Sequence, residues 1–383
     1  MPRPGLAAAR TDHVGSFLRP EALKAAFLAH AKGRKSREAL REAQDDAIRA
    51  LVAEERAHGV IAVTDGEYRR LNWQVSFSEV TGWDLWPSTW ANFVKAPDNV
   101  MPGETPGQKG GDAVVSFRTP ATAKLALAEN FPLGELKFLK TVTDGPAKIT
   151  LMGPDRVCQM CDVPASKAIY PDADAFLADV VAVHRKMIGQ LIEAGCDYIQ
   201  LDEPSYTGYV DPPTLARMEA EGQDPLKALR RAIDADNAAI ADVKGRAVTG
   251  LHICRGNRAS MWHREGGYDP IAEAVFGGLK FDRLLLEYDT SRAGGFEPLR
   301  YVTRGSAGPV VVLGLVTTKT GAVETVDALR RRIDDAARFV PLDQLAISPQ
   351  CGFASGIAGN MLSMDAQWRK LDTIAETARR VWG

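Results

Sequence analysis

A single (β/α)8 TIM barrel carrying one insertion is the fold this sequence predicts. Three observations lead there. Eight short apolar runs alternate with helical patterns along the 383 residues. No shift in composition marks a place to cut a second domain, so residues 1–383 read as one catalytic unit. Acids, cysteines and a histidine collect at the C-terminal ends of the apolar runs, the rim on which barrels of this kind build their active sites.

The first run ends in Thr11-Asp12-His13-Val14-Gly15-Ser16. Gly15 and Ser16, ahead of Arg19-Pro20, suit either an anion-holding loop or a turn into a helix capped by Ser16. A long amphipathic helix is expected from Ser36 to His58, stopped by Gly59. Val60 to Glu67 forms the second strand, ending in Asp65 and Glu67. From about 74 to 146 the pattern loosens into an insertion, with Trp73, Trp83, Trp86 and Trp90, a hairpin strand at Val114–Phe117 and a helix near Ala121–Asn130. These tryptophans read mainly as pins holding a long loop to the body.

Alternation then resumes. Strands are expected at Ala147–Pro154, Tyr198–Pro204, Ala247–Cys254, from Leu284, at Pro309–Val316 and at Leu345–Ser348. Helices are expected at Ala173–Ala194, Asp224–Val243, Pro270–Phe276, Val323–Phe339 and Asp365–Val381.

Composition bounds the function. The chain is 45% hydrophobic and 25% charged with a formal net charge of −2, so no general attraction to nucleic acid is implied. No run is long enough to span a bilayer, and no apolar leader stands at the start. Five cysteines are too few for a disulfide scaffold, which suits a reducing cytoplasm. A homo-oligomer is compatible with all of this.

The chemistry centres on His252 and Cys254. One residue apart on a strand, they project to the same face. Imidazole nitrogen and soft sulfur suit Zn²⁺. Two more strand ends deliver Glu287 and Cys351, so His252, Cys254, Glu287 and Cys351 make a candidate zinc set. Zinc held this way can bind a substrate thiol as thiolate and ready it to attack an electrophilic carbon. Glu67 and Asp202 can pair with a substrate ammonium or act as acid and base; their structural alternative is pairing with Arg69, Arg70 or Arg255. Cys158 and Cys161 form a lone C-x-x-C with no second pair, so they read as semi-buried thiols, and Cys196 reads as a small buried hydrophobe. Of the remaining histidines only His13 is expected at the rim.

Taken in order, Val14-Gly15-Ser16, Asp65-Gly66-Glu67, Asp202-Glu203-Pro204, His252-x-Cys254 and Cys351-Gly352 resemble the catalytic half of cobalamin-independent methionine synthase. The resemblance spans nearly the whole chain. It implies a (β/α)8 barrel with zinc and a methyl transfer to homocysteine sulfur. It makes His252, Cys254 and Cys351 zinc ligands, and places Gly15, Ser16, Glu67 and Asp202 around the amino-acid part of the thiol substrate. The carboxylate ligand falls on Glu287 by strand phase and on Asp289 by counting back from Ser291-Arg292; strand phase selects Glu287. Three departures stand out. The chain is a single barrel, where the full synthase is duplicated. Met152 to Val157 replaces a tryptophan-containing stretch, and Lys319 replaces a histidine. In these respects it is similar to the short methionine-synthase-II-like group, whose relatives include enzymes that open epoxides with a coenzyme-M thiol. The expected function is zinc-dependent S-methyl transfer from a methyl donor to a small thiol. The alternatives are alkyl transfer to a coenzyme-M-type thiol, a zinc-free lyase resembling uroporphyrinogen decarboxylase, and a non-catalytic zinc or thiol binder.

Overall fold

The computed structural model describes residues 5–84, 89–95, 97–98, 100, 103–110 and 118–383. Helices α1 (Glu21–Ala31) and α2 (Arg37–Ala57) come first. Ser36 caps α2 through Ala39 N, and Gly59, in the left-handed region at φ 72°, ends it. Then follow a two-stranded antiparallel pair, β1 (Val80–Thr81) with β2 (Ala126–Leu127), and between them α3 (Thr89–Lys95). Helix α4 (Phe131–Val142) leads into β3 (Lys148–Met152), α5 (Pro154–Gln159), α6 (Ala173–Glu193) and β4 (Tyr198–Asp202). After them come α7 (Pro212–Ala220), α8 (Pro225–Ala239), β5 (Val248–Ile253), α9 (Ala272–Gly278) and β6 (Arg283–Glu287). The chain closes with β7 (Val310–Val316), α10 (Val326–Ala336), β8 (Leu345–Pro349) and α11 (Met364–Trp382).

Strands β3 to β8 form one parallel sheet in sequence order. Nearly every strand residue is buried, as expected for strands covered on both faces. Alternation sorts them. Leu284 and Leu286 join the large core shared with the helices, whereas Leu285 packs with Val14, Val312 and Ala346 on the other face. His252, Glu287 and Asp202 continue that inner face at the strand ends, and Asp202 stands directly beside His252 in register.

The sequence predicts eight strands; among the described residues the parallel sheet has six. The first two segments are each reduced to a single parallel bridge, Thr11 beside Ile347 of β8 and Val63 beside Ala147 before β3. They touch one another through His13 Nε2 and Ala62 O at 2.7 Å and through Thr64 Oγ1, which donates to Gly15 O at 2.7 Å. The physical reason is local. Gly15 (φ 121°), Gly66 (φ 67°) and Glu67 (φ 60°) turn the backbone out of the extended region just after each bridge. The helix expected near Ala121–Asn130 lies instead at α4, packed on α2 and β3, so the irregular stretch ends near Asn130. The strand expected at Val114–Phe117, and Trp86, lie outside the described residues. Trp83 does pin the insertion: it is buried, donates to Thr119 O at 2.9 Å and meets Phe176 of α6 edge-on.

The N-terminal ends of the strands are filled by charge. Asp12 accepts from Lys148 Nζ (2.9 Å), Arg283 Nε (2.8 Å) and the Tyr198 hydroxyl (2.9 Å), and all four side chains are buried. Lys148, Tyr198 and Arg283 are the first residues of their strands. His13 therefore lies at this end, bound to Ala62 O, and not at the rim where the sequence places it. No helix among the described residues is long and apolar enough to cross a membrane.

Candidate metal centre

Three buried donors converge past the C-terminal strand ends. Ligand atoms of His252, Cys254 and Cys351 lie within 4.8 Å of one another, a spacing that could hold a metal ion. His252 donates from Nδ1 to Leu285 O at 3.2 Å, which fixes the tautomer and leaves Nε2 buried with no hydrogen-bond partner. A metal-ligating histidine is commonly oriented through its other ring nitrogen in this way. The two sulfurs lie within 4.8 Å of each other. The contact with Cys351, ahead of the His252 imidazole, pulls the Cys254 thiol well below its ordinary range, and the same contact pushes Cys351 up. An orphaned imidazole nitrogen, two thiols and a nearby carboxylate fit Zn²⁺ by chemistry.

The carboxylates differ. Glu287 is fully buried; its Oε2 accepts from Arg255 N at 2.6 Å and its Oε1 has no partner. Burial raises its carboxyl, with Lys319 the strongest opposing charge. Asp289 has both oxygens unpartnered, but it lies one strand period beyond the ladder, towards Arg332 of α10. Neither belongs to the cluster of three donors.

The first two segments border the same centre. Gly15 lies so close to β3 that an added Cβ would meet Thr150 Cγ2 at 2.5 Å, and one on Gly352 would meet Ser16 Oγ at 2.0 Å. Only glycine fits either place. Ser16 is not a helix cap: Pro20 precedes α1, while Ser16 O and Oγ accept from Phe353 N and Ala354 N. Glu67 adopts its left-handed conformation with Glu67 N bonded to Asp65 Oδ1 at 2.9 Å. Its Oε1 accepts from Thr150 Oγ1 (2.8 Å) and stands 3.4 Å from Arg70 Nη1, while Oε2 is buried and unpartnered. The main partner of Arg70 is Glu135, at 2.6 Å. Asp202 accepts from Gln200 Nε2 at 2.6 Å, and burial pushes its carboxyl up to about 7, with His252 opposing. Two carboxylates thus sit beside the three donors with acceptor capacity to spare.

Cys158, Cys161 and Cys196 are buried free thiols away from the donor cluster. Thr150 and Asn360 enter the surroundings of the site without a sequence signal, because each arrives from an element far from the motifs, whereas Arg70 is one of the pairing partners the sequence offers for Glu67. Asn257 sits in the His252 segment but carries no motif of its own.

Comparison with known proteins places this arrangement among methyltransferases. The family model described as the catalytic domain of cobalamin-independent synthase matches residues 137–361. The chain belongs to that family, the cobalamin-independent methionine synthases. It is 39% identical over 380 residues to the uncharacterized protein YxjG of Bacillus subtilis, covering 97% of this chain and 94% of that one. It is 24% identical to the methionine synthase of Pyrococcus abyssi, over 97% of this chain and 92% of the relative. A crystal structure of a putative vitamin-B12 independent methionine synthase from Listeria monocytogenes superposes with a TM-score of 0.74 at 29% identity, covering 98% of both chains. Membership implies an enzyme with a thiol acceptor and a methyl donor.

Proposed function

We propose that this chain is a zinc-dependent S-methyltransferase acting on a small amino-acid thiol such as homocysteine, in the cytoplasm. The observation that carries the reading is the triad of buried donors, with the Nε2 of His252 left open toward the two sulfurs. His252, Cys254, Cys351 and Glu287 would hold the ion, which when bound keeps a substrate sulfur deprotonated at neutral pH. The chain's own part is recognition and placement. The buried oxygens of Glu67 and Asp202 would receive the ammonium, and the Gly15-Ser16 backbone, pressed against Gly352, would face the carboxylate. The sulfur would then point at the cluster from a fixed distance, as in-line transfer of a methyl group requires. In the same reading the six-stranded sheet and its two bridged segments make up a (β/α)8 ring.

Transfer to a sulfonate thiol would need a free cation near the donors. Arg19 directs Nη1 to Ala354 O and Gly356 O, and Nη2 to Glu67 O and Arg70 O. Arg255 is likewise spent on Gly266 O, the Tyr268 hydroxyl and Glu287 O. Neither arginine is left for a sulfonate; buried Lys319, bonded to Gly256 O and Asn257 Oδ1, is a cation that reading could use, and it is the spare acceptors of Glu67 and Asp202 that favour an amino-acid thiol.

Homocysteine should therefore bind the zinc-loaded protein more tightly than mercaptoethanesulfonate in a calorimetric titration. Asp202→Asn should weaken homocysteine by about 10- to 100-fold, the worth of roughly 1.5–3 kcal/mol for a hydrogen bond to a charged group, with zinc content unchanged. Preference for the sulfonate would remove the homocysteine assignment.

The fourth ligand has its own test. Glu287→Gln is expected to lower zinc affinity more than tenfold and Asp289→Asn by less, as judged by competition with a chromophoric chelator. The reverse order would transfer the role to Asp289.

A further inference from the structure

We propose that Asn257 and Asn360 are positioning residues: a buried amide pair that sets where Cys254 and Cys351 stand relative to each other. The inference rests on the metal reading above and deepens it.

Cys254 and Cys351 come from loops after β5 and β8, and no disulfide joins them. Something must hold two sulfurs that repel as thiolates. Asn257, three residues past Cys254, donates from Nδ2 to the carbonyl of Gly352, the residue after Cys351, at 2.6 Å. Its Oδ1 accepts from Asn360 Nδ2 at 2.9 Å and from Lys319 Nζ at 3.1 Å. Asn360 Nδ2 also reaches Thr318 O at 3.0 Å, in the loop after β7, and Asn360 Oδ1 accepts from Ser260 N at 2.9 Å. Asn360 N in turn donates to Phe353 O at 3.1 Å. One pair of amides therefore ties together the loops after β5, β7 and β8, and all the groups involved are buried.

Two further facts separate this from ordinary packing. Ala259 and Ser260, shortly after Cys254 in the chain, both adopt left-handed backbone, at φ 47° and 61°. Asn360 Oδ1, together with Ser260 Oγ accepting from Met361 N at 2.7 Å, holds that bend. Lys319 is buried, yet among the described residues its ammonium bonds to neutral oxygens, Gly256 O at 3.0 Å and Asn257 Oδ1. A buried cation is unfavourable without nearby negative charge. Both oxygens belong to the stretch just after Cys254. Asn257 thus holds this cation beside the donor set while bracing the two cysteine loops. Fully satisfied networks of this kind fix one arrangement of the groups they join.

The test uses cobalt(II) as the probe in the full chain. Asn360→Asp keeps the oxygen facing Ser260 N but turns the donor facing Asn257 and Thr318 into an acceptor. Asn257→Ala removes the brace without burying a new charge, and serves if the first variant folds poorly. Partners of metal ligands are worth about 10- to 100-fold in affinity, so the cobalt dissociation constant should rise by that factor. The sulfur-to-cobalt absorption bands should shift or weaken, which a loss of general stability would not produce. A variant with native circular dichroism, native cobalt affinity and native bands overturns the proposal. If the native chain itself takes up no cobalt, the metal reading falls, and this proposal with it.

Discussion

Cys254→Ser and Cys351→Ser should each strip the protein of zinc. The expected fall in affinity exceeds about a hundredfold, since removing even a partner of a ligand costs 10- to 100-fold and here the ligand itself goes. A hydroxyl cannot replace the sulfur, because serine stays protonated where a cysteine thiol gives up its proton to a bound metal. Metal analysis after dialysis against a chelator gives the readout. Circular dichroism should stay close to native, because both sulfurs lie past the strand ends and outside the main core. Full zinc in both variants would show that the centre has been misplaced.

The largest loss of stability is expected at the other end of the strands. Asp12 is the only carboxylate shown in contact with the buried ammonium of Lys148 and the buried guanidinium of Arg283, among the described residues. Burial alone would raise its carboxyl, but the two cations overcome that and hold it well below the ordinary range. Asp12→Asn would leave two buried cations without a counter-charge, and breaking a buried pair from one side costs about 3–5 kcal/mol. Arg283 also holds Ala7 O and Ala9 O, so the N-terminal segment should loosen with it. Urea unfolding of the variant checks this, and a loss below ~1 kcal/mol would mean the network does not carry the load.

Most of the sheet was legible because strands covered on both faces read as unbroken apolar runs. The cluster of His252, Cys254 and Cys351 was legible for a related reason: an imidazole and two thiols delivered to strand ends suit a metal ion. The first two segments were harder. Their apolar runs look like the others, but Gly15, Gly66 and the left-handed Glu67 end the extended backbone early, and a positive φ at glutamate leaves no trace in sequence. The same segment misled the placement of His13, since reading Thr11 to Ser16 as a strand end put every residue of it at the rim. Helix α4 was set ten residues too early because Pro132 and Gly134 in its first turn resemble loop punctuation. The Asn257–Asn360 pair was out of reach. Its residues lie 103 positions apart, and amides carry no spacing signal.

The bridge between Thr11 and Ile347 also sets an order of events during synthesis. Asp12 N bonds to Ile347 O and Ile347 N to Arg10 O, while Leu18 N is held by Gln367 and Phe17 stacks on Trp368. Every one of these partners leaves the ribosome more than 330 residues after the segment that needs it. At ~5–20 residues per second the segment waits tens of seconds with its apolar side chains uncovered. The Gly15-Ser16 corner is made long before the residues that fix it and takes its final shape only once they appear. On the proposed reading, the corner that would face the substrate carboxylate takes shape only when helix α11 does.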